Sequence, residues 1–276
     1  MFPDTSPQPA AVGTGKSTML RTYHHLISLG LNCEPSYALE DMYGRLDSYP
    51  LSWALIPDLP HLLDVLRDME LLFSKGYEIA HGSFDMFRCR HTGIQLHGKT
   101  DMRAHAYQDE IVEAAFRELL SRMGYLQKKF FKALQSGRSI LCIVKNHSWG
   151  GSPRGFTTAE AFALKEALDS KARAGTVHLL CVDRVGCIPA DLEEQCAERG
   201  IYKRLLSGFA PGERAYLYDL PGWARIFAEF DSVHSSFPEI QGEQRMQAIQ
   251  RHLEMRREQR LSDTRARTRQ SGASCQ

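Results

Sequence analysis

Cys33 occupies the position in this sequence where a side chain has the clearest chemical potential. It follows the apolar run 26–29 and a turn at Gly30, and it comes just before a segment with apolar residues at helical spacing. Pro35 suits the first turn of such a helix. Because a helix N-terminus carries a partial positive charge, it favours the nucleophilic thiolate over the thiol. Cys33 is therefore a candidate nucleophile, and a buried cysteine that packs behind the turn fits the same spacing.

Three short motifs carry a resemblance to a known family. They are Ser28-Leu-Gly-x-Asn-Cys33, Tyr49-Pro50-x-x-Trp53 and Thr92-Gly-Ile-x-x-His97. In this order they resemble an uncharacterised, mainly bacterial family that is described as papain-like cysteine peptidases, and the likeness spans roughly residues 26–230. The middle motif reads Pro-Leu-Ser-Trp where the family has Pro-Phe-Asp-Trp, so no role of that aspartate carries over.

The resemblance implies a thiol-dependent hydrolase or acyltransferase, with Cys33 as the nucleophile and His97 as the base. In papain-like chemistry an imidazole forms an ion pair with the cysteine, and a third group orients the ring. His97 lies where the predicted strand 94–96 ends, from where it can reach a cleft. A strand-end histidine that is hydrogen-bonded to the backbone fits equally well. The expected substrate is a peptide or an acyl conjugate.

Four further residues have candidate roles around this pair. Asp101, which follows His97 closely, and Asn146, at the end of a predicted strand, are alternatives for the group that orients the ring. Asn32 is a candidate donor to an oxyanion, and its competing role is a left-handed turn conformation, which we favour. Trp53 is expected in the core or in the wall of the cleft.

The elements that must position these residues alternate between strands and helices. The patterns predict a helix after Cys33, strands within 77–97, a helix over 107–134, and buried strands at 139–145 and 176–182 joined by a helix at 158–172. Strand, helix and strand in this order indicate a parallel crossover. We therefore expect an α/β or α+β fold, in one domain, with a mixed, partly parallel sheet flanked by helices.

The predicted domain, residues 22–236, lies between two segments of different composition. Residues 1–21 are expected to be a disordered tail, and residues 237–276 a solvated, charged helix over 240–261 with a disordered basic tail. Within the first segment, Ala10-x4-Gly15-Lys16-Ser17 matches a loose phosphate-loop pattern. Such a loop needs a strand before it, and the prolines among residues 1–9 do not permit one. A nucleotide-binding enzyme is thus the less favoured alternative, behind a non-catalytic α/β binding or scaffold protein.

Charge and composition narrow the expected partners. The 276 residues carry a net charge of +1 with 43% hydrophobic and 24% charged residues, which is typical of a globular protein. Residues 241–276 contain eight arginines and four acidic residues, so the rest of the chain is mildly acidic. A mildly acidic surface gives no general reason to bind nucleic acid. No apolar run is long enough to span a membrane, so a membrane partner is not expected.

The seven cysteines predict reduced thiols. They include no CxxC pair, which fits neither a disulfide framework nor a zinc ribbon. Cys142 and Cys181 lie inside apolar runs and are expected to be core residues. The histidines also lack the spacing of metal ligands, so neither a metal nor a cofactor is expected. The sequence therefore predicts a cytoplasmic protein.

Overall fold

The structure is a computed structural model, and it describes residues 20–44, 48–81, 85–99, 102, 104–146, 155–187, 194–210, 214–235, 237, 240 and 242–273. The strands in these ranges are β1 (Arg21–Tyr23), β2 (His25–Ser28), β3 (Tyr77–Ala80), β4 (Met86–Cys89), β5 (Gln95–His97), β6 (Ile140–Lys145), β7 (Val177–Arg184), β8 (Ile201–Leu206) and β9 (Phe230–Ser232). The α-helices are α1 (Glu34–Tyr43), α2 (Leu59–Arg67), α3 (Asp109–Gln135), α4 (Thr158–Asp169), α5 (Leu220–Glu229) and α6 (Gly242–Ala273). The 10–17 segment and Asp101 lie outside the described residues.

Four strands form a wholly parallel sheet in the order β2-β6-β7-β8. Helix α4 connects β6 to β7, and Ile140 pairs with Val177 in parallel register. The helix begins at a capping box in which Thr157 and Glu160 bond each other's backbone amides. The predicted parallel crossover and the α/β class are confirmed.

Both faces of this sheet are buried, as parallel sheets require. Cys142 and Cys181 point to one face, where they pack with apolar residues of α2, α3 and α4. Leu141 and Leu180 point to the other face, which is covered by α1, α5 and α6. Both cysteines have no solvent exposure, and burial raises the pKa of Cys142 to about 12. Their prediction as core residues is confirmed.

The antiparallel strands form a sheet of their own, in the order β3-β4-β5. These three strands are consecutive in the chain, and Gly93, in a left-handed conformation, reverses it between β4 and β5. Neighbouring strands of a hairpin satisfy each other's backbone hydrogen bonds, so these three strands do not need to pair with β2. The parallel and antiparallel strands thus lie in separate sheets rather than in one mixed sheet. Gln95 also pairs with Leu55, which attaches the small sheet to the loop before α2.

Helix α6 is an integral part of the core, and its prediction as a solvated helix is wrong. Ile249 and Leu253 are 0% exposed and pack with α1 and α5. Arg245 is buried as well, and its guanidinium pairs with Asp231 in β9. The apolar positions of α6 are few and stand one turn apart among arginines and glutamates, so the charge pattern concealed a narrow apolar stripe.

Candidate active site

A tight turn between β2 and α1 sets the position of Cys33. Gly30 and Leu31 both adopt left-handed conformations, with φ of 82° and 67°. A Cβ atom on Gly30 would lie 2.9 Å from the carbonyl oxygen of Leu51, so only glycine fits this close approach. The turn reverses the chain at the carboxyl end of β2 and places Cys33 at the N-cap of α1, as the sequence predicts.

Asn32 has a structural role in this turn. Its side chain is buried, and its Oδ1 atom accepts a hydrogen bond of 3.1 Å from the backbone N–H of Glu34. The bond satisfies one of the amides that a helix N-terminus leaves without an intrahelical partner. The left-handed residues are Gly30 and Leu31, so the left-handed conformation expected of Asn32 is wrong. The side chain stabilises the turn by capping.

The structure brings Cys33, Trp53 and His97 to one cleft. The cleft has a volume of about 260 Å³ and is lined by Cys33, Tyr37, Ser48, Tyr49, Pro50, Trp53, Leu96, His97, Arg122, Met123 and Leu126. The ring of Trp53 packs edge-on against Tyr37, with 5.0 Å between the ring centroids. The hydroxyl of Ser36 in α1 donates to the carbonyl of Ser52, which ties the Trp53 loop to the helix. Residues from four separate regions of the chain thus line one cleft.

His97 is the last residue of β5, half-buried at the cleft. Its backbone carbonyl accepts a hydrogen bond of 2.5 Å from Nη2 of Arg122 in α3. Burial, reinforced by the positive charge of Arg122, holds the pKa of the His97 imidazole below its ordinary value of 6.5. The ring is therefore neutral at neutral pH, which is the form that accepts a proton.

Cys33 is a thiol at neutral pH, and the expected thiolate is wrong. Burial raises the pKa of the Cys33 thiol from an ordinary 9.0 to about 12. The loss of hydration outweighs the partial charge of the α1 N-terminus, and Asn32 already engages one amide of that terminus. A neutral thiol therefore shares the cleft with a neutral imidazole, so the thiol needs a base when it attacks.

This arrangement predicts slow alkylation of Cys33. At about pH 8 we expect iodoacetamide to modify Cys33 roughly 10²- to 10³-fold more slowly than Cys187, which is partly exposed, because alkylation requires the thiolate. Peptide mapping by mass spectrometry over time measures both rates. In urea the two cysteines should react alike, and preferential labelling of Cys33 in the folded protein would contradict the assignment of a protonated thiol.

Asn146 belongs to a different cluster, at the carboxyl edge of the parallel sheet. Its Nδ2 atom donates a hydrogen bond of 3.1 Å to Asp183, whose carboxylate also accepts the backbone N–H of Phe156. Asp183 is buried, and burial raises its pKa although these donors and Lys203 oppose the shift. Asn146 is not among the described residues that line the cleft, so the structure does not bring it together with Cys33 and His97.

A buried ion pair fixes the N-terminus of α1, and sequence reasoning missed it. Lys145 at the end of β6 lies 3.2 Å from Glu34, and both side chains are 0% exposed. Glu34 also accepts the indole N–H of Trp223 and the backbone N–H of Ala210, at 3.1 and 3.0 Å. Burial lowers the pKa of Lys145, and the carboxylate of Glu34 opposes this shift. The available signal was a lysine that ends an otherwise apolar strand.

Arg122 is a further residue that sequence reasoning missed. It lies on α3 among Leu119, Met123 and Leu126, at positions three and four residues apart that otherwise form an apolar stripe. A charged residue in such a stripe faces the interior of the protein, in this case the cleft. That interruption of the stripe was the available signal.

Comparisons with known proteins do not identify a function for this chain. No protein-family model matches the chain, and neither a curated protein nor a solved structure matches it. Among the described residues, no helix is long and apolar enough to cross a membrane. The same residues hold no group of three or more histidine, cysteine, aspartate or glutamate side chains placed to bind a metal ion.

Proposed function

We propose that this protein is a cysteine-dependent hydrolase or acyltransferase of the papain-like type, with Cys33 as nucleophile and His97 as general base. The observation that carries the proposal is that these two residues, from separate regions of the sequence, line one cleft. The three motifs that resemble the papain-like family support it, because two of them end at Cys33 and His97.

In the proposed mechanism the base acts during the attack. Sγ of Cys33 attacks the carbonyl carbon of the substrate while the neutral His97 ring accepts the thiol proton. The partial positive charge of the α1 N-terminus stabilises the oxyanion of the tetrahedral intermediate. The imidazolium then gives its proton to the leaving group, and a thioester remains on Cys33. Water or an acceptor molecule attacks this thioester with His97 as base, which releases the acyl group and restores the thiol.

We assign no fixed third catalytic residue. The side chain of Asn146 donates to Asp183 and is not among the described residues that line the cleft, so its contacts do not support a role in orienting the ring. Asp101 stays a prediction. Arg122 donates a hydrogen bond to the backbone carbonyl of His97, which helps to fix the backbone at the end of β5, where His97 also pairs with Met86 of β4.

We further propose a cytoplasmic protein that acts on a peptide or an acyl conjugate. The six described cysteines are free thiols, which supports a reducing compartment. An acyl substrate follows from the chemistry of a thiol beside a base.

Acylation by an activated ester tests the proposal directly. We expect 4-nitrophenyl acetate to release 4-nitrophenolate and to leave one acetyl group on Cys33, because a thioester precedes its hydrolysis. Mass spectrometry of the quenched protein locates the acetyl group. Cys33→Ala should abolish its transfer and the matched variant Cys187→Ala should not. Equal reaction of Cys33→Ala and the unmodified protein would instead support a non-catalytic binding protein.

A further inference from the structure

The cleft contains one permanently charged group among the described residues that line it, and that group is Arg122. Its Nη2 donates to the His97 carbonyl, and a guanidinium carries five N–H donors in all. No carboxylate of the described residues lies within ion-pair distance of it. The side chain is half-buried, and burial lowers its pKa although Glu118 opposes the shift. Arg122 therefore presents a partly desolvated cation with further donors to the cleft.

The remaining walls are apolar or aromatic. Tyr37, Trp53, Leu96, Met123 and Leu126 provide most of this surface. The volume of about 260 Å³ is below the range of roughly 300–1,000 Å³ for sites that enclose drug-sized ligands, so the cleft accommodates one substituent of a larger molecule. An apolar wall with one cation is complementary to an apolar or aromatic group that ends in one negative charge.

We propose that Arg122 selects acyl substrates that carry a carboxylate on the acyl group, next to an apolar or aromatic portion that packs on Trp53. This inference rests on the proposed function and names its substrate class. A carboxylate fits the planar fork of a guanidinium with two parallel hydrogen bonds. A phosphate carries nearly two charges and is generally bound by several cations, and Arg122 is the only such group among the described lining residues. One arginine therefore favours a carboxylate.

Binding to an inactive variant tests the charge preference without any chemistry. In calorimetry with Cys33→Ala as the background, we expect benzoate to bind about 10- to 10²-fold more tightly than benzamide, its neutral analogue, because hydrogen bonds to charged groups add this much. Adding Arg122→Met should remove the preference, and Arg122→Lys should retain part of it. Arg117→Met changes an exposed arginine of the same helix and should have no effect. Equal binding of benzoate and benzamide, or tighter binding of phenyl phosphate, would overturn the proposal.

Acylation rates test the same preference during the reaction. We expect mono-4-nitrophenyl terephthalate to acylate Cys33 about 10- to 10²-fold faster than 4-nitrophenyl 4-methylbenzoate, each relative to its spontaneous hydrolysis. The ratio of the two acylation rates should fall to near one in Arg122→Met, even if the substitution changes both rates by a common factor. A ratio that persists in Arg122→Met overturns the role of Arg122. If neither ester acylates Cys33 while benzoate still binds through Arg122, the proposed function fails and the carboxylate site stands.

Discussion

The His97→Ala variant should be acylated at Cys33 by 4-nitrophenyl acetate about 10²- to 10⁴-fold more slowly than the unmodified protein, the usual contribution of a general base. The reason is specific to this cleft. Burial raises the pKa of Cys33 to about 12, so the thiol loses its proton only with help from a base. His97 is the imidazole that lines the same cleft. The rate of nitrophenolate release in the first turnover measures the effect.

The pH dependence of the same reaction identifies the base. Because burial and Arg122 lower the pKa of His97, its neutral form exists at lower pH than that of an ordinary histidine. The acylation rate should therefore rise with pH through a midpoint below 6.5 and then level off. This inflection should disappear in His97→Ala and persist in His91→Ala, an exposed histidine of the same hairpin. An unchanged rate and pH profile in a His97→Ala protein with an unchanged melting temperature would exclude the proposed base.

The Lys145→Met variant should lose about 3–5 kcal/mol of its free energy of unfolding, the usual cost of removing one partner from a buried ion pair. The carboxyl group of Glu34 would lose the cation beside it, and water could not replace that cation because the side chain is 0% exposed. Its bonds from Trp223 and Ala210 remain, but neither brings a positive charge. Guanidinium chloride unfolding, followed by circular dichroism, measures the loss.

An exposed ion pair provides the matched control. Arg88 lies 3.0 Å from Glu78 with both side chains more than 40% exposed, so Arg88→Met should cost less than about 1 kcal/mol. Adding Glu34→Gln to Lys145→Met removes the uncompensated charge and should recover part of the stability. If Lys145→Met costs no more than Arg88→Met, the buried pair does not hold the α1 N-terminus as we describe.

Most elements around the cleft were predictable because their signals are local. A glycine turn between an apolar run and an amphipathic segment predicts the strand, turn and helix that carry Cys33, and the structure has them at β2 and α1. The capping pair Thr157 and Glu160 predicts the start of α4. Such features depend on residues that are neighbours in the chain, so the sequence contains them directly.

The electrostatics of the site were not predictable in the same way. A cysteine at a helix N-terminus indicates a lowered pKa, yet the structure raises it because burial removes the water that a thiolate needs. The pairing of Glu34 with Lys145 joins a helix start to the end of a distant strand. Helix α6 shows the same limit, since its arginine-rich sequence concealed the stripe of Ile249 and Leu253.

The sequence by itself therefore determined the α/β class, the crossover from β6 to β7, the buried cysteines Cys142 and Cys181, and the placement of Cys33 before a helix. Periodicity and turn chemistry encode these features within a few residues. Only the tertiary structure decided that Cys33 and His97 line one cleft, that Arg122 joins them there, and that Asn146 does not. Distances between separate regions and the loss of hydration on burial exist only once the chain is folded, and both determine what these side chains can do.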